Sequence, residues 1–269
     1  MKTYVLFHAS CPDGFGSAWA HYRLTGGVNT EYIQVSYNEP PPAMPAGSPV
    51  FIIDFSYARE VLIELRHKHP ALVLLDHHTS AQDILKGLDF AKFDMHKSGA
   101  MMAFEYFHPK IEIPLMIKYV MDRDLWTFAL PYSREIHAYM SAFEREFMVW
   151  DQLSEDIEKR FEEVVGIGKI LLKNDEIRVK EISLQTRMIN FENYNIPCVN
   201  SSTLTSELGH SLLKDYPDAP FSMSFFVSKK GEVSCSLRSR GDFDVSKLAQ
   251  KFGGGGHVAA AGCRLDRIP

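Results

Sequence analysis

Short apolar runs alternate with amphipathic stretches through the first half of the chain. Residues 3–7 are an apolar run ending at His8, 15–24 has helical spacing and closes on Gly26 and Gly27, and 31–35 is again strand-like. Pro40, Pro41, Pro42, Pro45 and Pro49 mark a loop. Residues 50–53 then read as a buried strand ending in Asp54, 58–68 as a helix closed by Pro70, and 71–75 as another buried strand ending in Asp76. Continuous apolar runs separated by helices predict a parallel sheet covered on both faces. Residues 98–143 read as mostly helical. From 151 to 187 a long helical periodicity carries interspersed charges, predicting solvated helices that bridge two domains. Strands return from Ile196, with 221–227 and 232–237 joined by a hairpin turn at Lys230 and Gly231. A helix over 245–252 leads into Gly253, Gly254, Gly255 and Gly256, and a short helix is expected over 257–261. The fold class expected is α/β: an N-terminal parallel-sheet domain over 1–150, a helical linker over 151–190, and a smaller C-terminal α/β domain over 191–269.

Composition agrees with that division. A chain of 269 residues exceeds the usual size of one domain and buries enough surface to need no disulfide or structural metal. The apolar fraction of 45% and charged fraction of 23% are those of a soluble globular protein. A net charge of −5 lacks the basic surplus of proteins that grip long nucleic acid. A small phosphorylated ligand fits better. Cys11, Cys198, Cys235 and Cys263 are scattered with no CxxC pair, as expected of reduced thiols in the cytoplasm. No signal segment or membrane span is expected from the apolar runs.

The polar residues add chemistry to the strand pattern. His8, Asp54 and Asp76 each end a predicted strand, and in an open α/β sheet ligands bind at that edge. Asp13, His77 and His78 join them on one rim. Hard divalent cations take carboxylate oxygens, and Mn²⁺ also takes imidazole. With Asp122 and Asp124 the rim could hold two ions about 3.5–4 Å apart that share a bridging carboxylate. A single Asp after a strand is ordinarily a turn or helix cap. Asp76, His77 and His78 in succession after LVLL would be costly to desolvate unless a ligand used them. Farther on, four glycines before a short helix would offer bare amides to an anion. His257, Arg238 and Arg240 could add phosphate contacts.

These segments carry a resemblance. Asp76, His77 and His78 after LVLL look like the motif that names the DHH phosphoesterases. HASCPDGFGSA (8–18), FIIDFS (51–56) and YVMDRDLW (119–126) resemble that family's first, second and fourth motifs. SLRSR and DVSKLAQKFGGGGHVAAAG within 236–262 are similar to the DHH-associated second domain. The resemblance implies that 1–150 is a catalytic DHH domain and 191–269 a substrate-binding domain. It implies that Asp54 bridges two metals, that His8 and Asp13 each hold one, and that His77 is a further ligand. Asp76 would fix the ring of a neighbouring histidine, and His78 would face the substrate phosphate. The fourth motif supplies Asp122 or Asp124, the latter suiting the spacing to Trp126 and Phe128. Many members carry Asp-x-Asp where this chain has Cys11, Pro12 and Asp13, so Cys11 is either a loop spectator or a softer ligand.

The implied cofactor is a pair of Mn²⁺ ions, with Mg²⁺ or Co²⁺ as substitutes. The implied activity is hydrolysis of short oligoribonucleotides, linear dinucleotides or 3′-phosphoadenosine 5′-phosphate, as in the bacterial nanoRNase branch. A pyrophosphatase or polyphosphatase, or a non-catalytic nucleotide sensor, are the rival expectations. The partner expected is a short nucleotide, with neither long nucleic acid nor membrane, and a homodimer is allowed.

Overall fold

The computed structural model describes residues 1–9, 11–37, 39–229 and 231–269. It divides into two compact units, Met1–Leu172 and Lys173–Pro269. The first unit runs β1 (Thr3–His8), α1 (Pro12–Thr25), β2 (Thr30–Val35), β3 (Val50–Ile53), α2 (Arg59–Lys68) and β4 (Val73–Asp76). A 3₁₀ turn (Thr79–Ala81) leads into α3 (Gln82–Leu85), β5 (Ala91–Phe93), α4 (Gly99–Phe107), α5 (Leu115–Asp124), α6 (Ser133–Ser141) and α7 (Phe147–Lys159). The division between the units falls within α8 (Phe161–Ser183).

The strands of the first unit are parallel, in the order β2-β1-β3-β4-β5. Side chains alternate across this sheet. Val5 and Phe7 join one apolar cluster with Ile53 and Leu75, while Tyr4 and Leu6 join another with Ile52 and Leu74. With both faces covered, the strands read as unbroken apolar runs. The first cluster extends to Trp150, Leu153, Ile157, Val164 and Val165. The charged periodicity after residue 151 thus hides an apolar stripe that belongs to this unit's core.

Strand order reverses between β1 and β3, and such a reversal opens a crevice at the C-terminal edge of a sheet. The register sets Phe7 beside Ile53 and Ile53 beside Leu75. The residues that follow, His8, Asp54 and Asp76, are therefore neighbours at that edge.

The second unit carries the rest of α8, then β6 (Arg187–Phe191), β7 (Tyr194–Asn200), α9 (Thr205–Asp215), β8 (Phe221–Val227), β9 (Val233–Ser239), α10 (Val245–Gln250), β10 (Gly255–His257) and β11 (Ala260–Leu265). Its mixed sheet has the order β10-β11-β9-β8-β7-β6, with β7 and β8 parallel. Gly231 lies in the turn between β8 and β9, with φ 84°; Lys230 lies outside the described residues. Among the described residues no helix is long and apolar enough to cross a membrane.

Two sequence expectations are overturned here. Residues 257–261 are not helical: β10 and β11 pair antiparallel, with His257 opposite Ala260, and β11 continues the ladder onto β9. Alanine's helix propensity is a weak preference against a strand ladder with Ala261 and Cys263 buried in the core. At Gly256, with φ 140°, a Cβ would lie 2.5 Å from the Ala260 carbonyl oxygen, so the strands approach too closely for a side chain. The second correction is β6, which begins inside the stretch expected to be helical linker. Glu192 and Asn193, with φ 50° and 69°, turn it tightly onto β7.

Candidate metal centre

Asp54 leaves β3 with φ 59°, a left-handed conformation that costs a non-glycine residue about 1–3 kcal/mol. Two contacts hold it there. Its amide donates to the Leu75 carbonyl at 2.9 Å, and α4 presses so close that a Cβ on Gly99 would lie 2.5 Å from Asp54 Cβ. The carboxylate is buried, and the rim residues gather round it. His77 Nε2 lies 3.0 Å from Asp54 Oδ1, 3.5 Å from Asp13 Oδ2 and 3.6 Å from Asp124 Oδ2. His8 Nδ1 lies 3.7 Å from Asp54 Oδ2.

Each neighbour is positioned by its own element. Asp13, in the first turn of α1, accepts from the Gly99 and Ala100 amides at 2.6 and 2.9 Å, where a carboxylate complements the α4 dipole. Asp124 ends α5. Asp76 ends β4 and accepts from Ser56 Oγ at 2.5 Å and from the His77 and His78 amides at 2.7 and 3.2 Å. It also lies 2.7 Å from His78 Nδ1, a contact in which the carboxylate accepts and the ring N–H donates.

The electrostatics call for a cation. Burial, with Asp54 and Asp124 nearby, pushes Asp13 well above the usual carboxylate range. Burial raises Asp124 as well, and Asp54 adds to it. Burial also opposes charge on Asp54, yet the hydrogen bond from His77, with the His8 and His78 rings nearby, brings it well below the usual range. At His77 burial again opposes charge, and Asp124, Asp54 and Asp13 overcome it, pushing the ring up to about 10. One imidazolium thus serves a cluster of buried acids. Asp54 Oδ2, Asp124 Oδ2 and His8 Nδ1 are buried and, among the described residues, have no hydrogen-bond partner. Leaving such atoms unmet costs about 1–3 kcal/mol each. Within the first unit two sets of ligand atoms lie within 4.8 Å of one another, one from Asp13, Asp54 and His77, the other from His8, Asp54 and His78. Asp54 is common to both. Carboxylate oxygens with imidazole nitrogens suit a divalent cation of intermediate hardness, so the residues present fit the expected pair.

Other expectations change. Of the two fourth-motif candidates, Asp122 is engaged as a loop anchor: it accepts from Thr127 Oγ1 at 2.5 Å and from the Ala129 and Leu130 amides at 2.8 and 3.2 Å. Asp124 is the fourth-motif carboxylate at the cluster. His78, expected to face the substrate phosphate, lies with His8 and Asp54 in a candidate ligand set. Cys11 belongs to neither set, and burial, with Asp54, Asp124 and Asp13, pushes its thiol up and keeps it protonated.

In the second unit the amides of Gly253 and Gly254 donate to the Gln250 and Ala249 carbonyls at 3.0 Å each, closing α10, while Gly255 and Gly256 lie in β10. The glycine run is therefore a helix stop and a strand, not an anion nest before a helix. Arg238 donates to the Leu237 carbonyl at 2.8 Å and Ser206 Oγ at 2.6 Å. Arg240 is exposed beyond β9, and Ala260 stands between His257 and Arg238 in the ladder. The sequence reading missed Gly99 and Ser56. For Gly99 a signal existed: Ser98 before an apolar run is a helix cap, and its Oγ accepts from the Met101 amide at 3.3 Å.

Comparison with known proteins adds relatives. The DHHA1 domain family matches residues 202–268. Uncharacterized protein R106 of Acanthamoeba polyphaga mimivirus is 32% identical over 287 residues, covering 98% of this chain and 68% of the relative. Oligoribonuclease NrnB of Bacillus subtilis is 38% identical over 68 residues, 25% of this chain and 16% of the relative. A 3′,5′-cyclic-nucleotide phosphodiesterase of Helicobacter pylori is 24% identical over 248 residues, 75% of this chain and 70% of the relative. The crystal structure of RecJ from Thermus thermophilus in complex with Mn²⁺ has a TM-score of 0.51 at 13% identity, covering 98% of this chain and 49% of that one, a likeness of fold.

Proposed function

Because the chain belongs to the DHH phosphoesterase family, we propose that it is a two-metal hydrolase of short oligoribonucleotides, linear dinucleotides or 3′-phosphoadenosine 5′-phosphate. The observation that carries this reading is the membership of Asp54 in both ligand sets. The names of the Bacillus subtilis and Helicobacter pylori relatives support a nucleotide substrate, and the net charge of −5 favours a short one. Mn²⁺ is the proposed metal, since the site mixes imidazole and carboxylate donors and the RecJ structure of the same fold was solved with it. Free cysteines at four positions favour a reducing compartment, and we place the enzyme in the cytoplasm.

His8, Asp54 and His78 would hold one cation, and Asp13, Asp54 and His77 the other, with Asp124 beside His77. When bound, the cations supply Lewis-acid polarisation of the phosphoryl group and lower the pKa of water toward about 7. The chain's own part is orientation. Asp76 locks the His78 ring through Nδ1, and the Gly99 and Ala100 amides fix Asp13. Arg238, Arg240 and His257 are proposed to bind substrate phosphate through their cationic or donor groups.

The test is a panel of pApA, 3′-phosphoadenosine 5′-phosphate and pyrophosphate, assayed with Mn²⁺, Mg²⁺ or Co²⁺. Turnover of a nucleotide is expected, with loss of at least about a thousandfold in Asp54→Asn, which keeps the left-handed backbone accessible. Rapid cleavage of pyrophosphate with none of either nucleotide would move the chain to the pyrophosphatase reading.

A further inference from the structure

We propose that Arg123, Trp126, Phe128 and Arg134 form a nucleobase-stacking subsite beside the metal centre, one that selects nucleotides over phosphates that lack a base. The inference rests on the hydrolase reading and names the part of the substrate recognised next to Asp124.

The segment after α5 is held in an unusual shape. Trp126 and Phe128, large L residues, have φ 57° and 47°, in the left-handed region that favours glycine. Asp122 imposes that shape. Its carbonyl accepts from the Thr127 amide at 3.0 Å, and its carboxylate accepts from the Ala129 and Leu130 amides. Strain kept in place by so many bonds is concentrated at functional positions. Core packing does not account for it, because both rings are only half-buried and neither belongs to either apolar cluster of the first unit.

The strained turn brings two rings together between two cations. The Trp126 and Phe128 centroids lie 4.8 Å apart at 75°. The Arg123 guanidinium lies 4.1 Å from the Trp126 centroid, and that of Arg134 lies 3.9 Å from the Phe128 centroid. Aromatic faces and guanidinium planes stack bases, and the guanidinium charge also answers phosphate. Arg123 adjoins Asp124 in the chain, and the Asp124 carboxylate is 3.6 Å from His77. The Arg123 charge also acts on the Asp124 carboxylate, so the guanidinium that covers Trp126 is within electrostatic reach of the cluster where a phosphodiester would be held. Two arginines here also offset the repulsion that the acids of the rim exert on an anionic substrate.

The test uses the tryptophans. Trp19 and Trp150 are 0% and 2% exposed, which leaves Trp126 as the indole a base can quench. The full chain, loaded with Ca²⁺ so that binding is read without turnover, is titrated with pApA and with the same sugar–phosphate chain lacking bases. Saturable quenching by pApA and none by the abasic chain is expected. With Mn²⁺, Trp126→Leu is expected to lose the quench and raise KM for pApA at least tenfold, with kcat within threefold and KM for the abasic chain unchanged. Trp126→Tyr restores most of the affinity. Should Trp126→Leu fail to fold, Arg134→Met, on an exposed side chain at the start of α6, is expected to raise KM for pApA three- to tenfold. Equal quenching by the two ligands, or an unchanged KM for pApA in folded variants, overturns the subsite. Absence of nucleotide turnover by the parent chain overturns the hydrolase reading instead, and the quenching comparison still decides the subsite.

Discussion

Asp54 and His21 show two ways of burying a titratable side chain. Asp54 sits among groups that balance its charge, in a cluster whose ligand atoms could hold a cation. His21, on α1, is buried against Phe51 and Phe107 with Tyr32 Oη 2.9 Å from Nδ1, and burial alone pulls it down to about 4. In the unfolded chain histidine titrates near 6.5, so between those values the unfolded state binds the extra proton. Stability from a neutral His21 is present above about 6.5 and lost as pH falls toward about 4. The loss amounts to about 2 kcal/mol between about pH 7 and pH 5. Urea unfolding at the two pH values should show that difference shrinking in His21→Phe; an identical pH dependence in variant and parent would remove His21 from the account. The same scale holds the choice that the sequence left open between Asp122 and Asp124. Two residues apart on a helix, Asp122 and Asp124 point roughly 200° away from each other. Spacing alone could not decide which meets the rim and which ties down the following loop.

Among the elements, α4 is the part of the centre least visible in the sequence. Its first amides hold Asp13 from 86 residues away in the chain, and Gly99 lets it touch Asp54. Gly99→Ala would force a shift, an overpacking cost of about 1–3 kcal/mol. Because the displaced group is Asp54, Mn²⁺ affinity is expected to fall at least tenfold and turnover with it. Gly166→Ala, where an added Cβ meets nothing, is the control expected to change neither. Calorimetric titration of both variants decides the matter, and unchanged Mn²⁺ affinity in Gly99→Ala would remove α4 from the site. The strands of the first sheet were legible because a two-faced parallel sheet admits only apolar runs. The β10–β11 hairpin was not, since alanine and glycine have weak local preferences and the neighbouring β9 ladder settles their conformation.

For the molecule as a whole, a cation bound by the cluster of buried acids would be linked to folding. Metal in roughly hundredfold excess over its Kd adds about 2.7 kcal/mol to the folded state. For a unit of this size that corresponds to roughly 5–10 °C in Tm. Chelation should lower the Tm of the first unit by that amount, and Asp54→Asn should abolish the difference. Melting curves that coincide with and without Mn²⁺ would refute a metal centre. Local pattern was enough to give the parallel sheet, the rim on which its strands end, and most of the acids and histidines there, because apolar periodicity and polar residues at strand ends are properties of short stretches of chain. Folding had to supply the rest: that Asp54 belongs to two ligand sets, that Asp124 rather than Asp122 reaches them, and that the glycine run becomes a strand. Each of those depends on groups distant in the chain meeting at angstrom range, and direction in space is not written in spacing along a sequence.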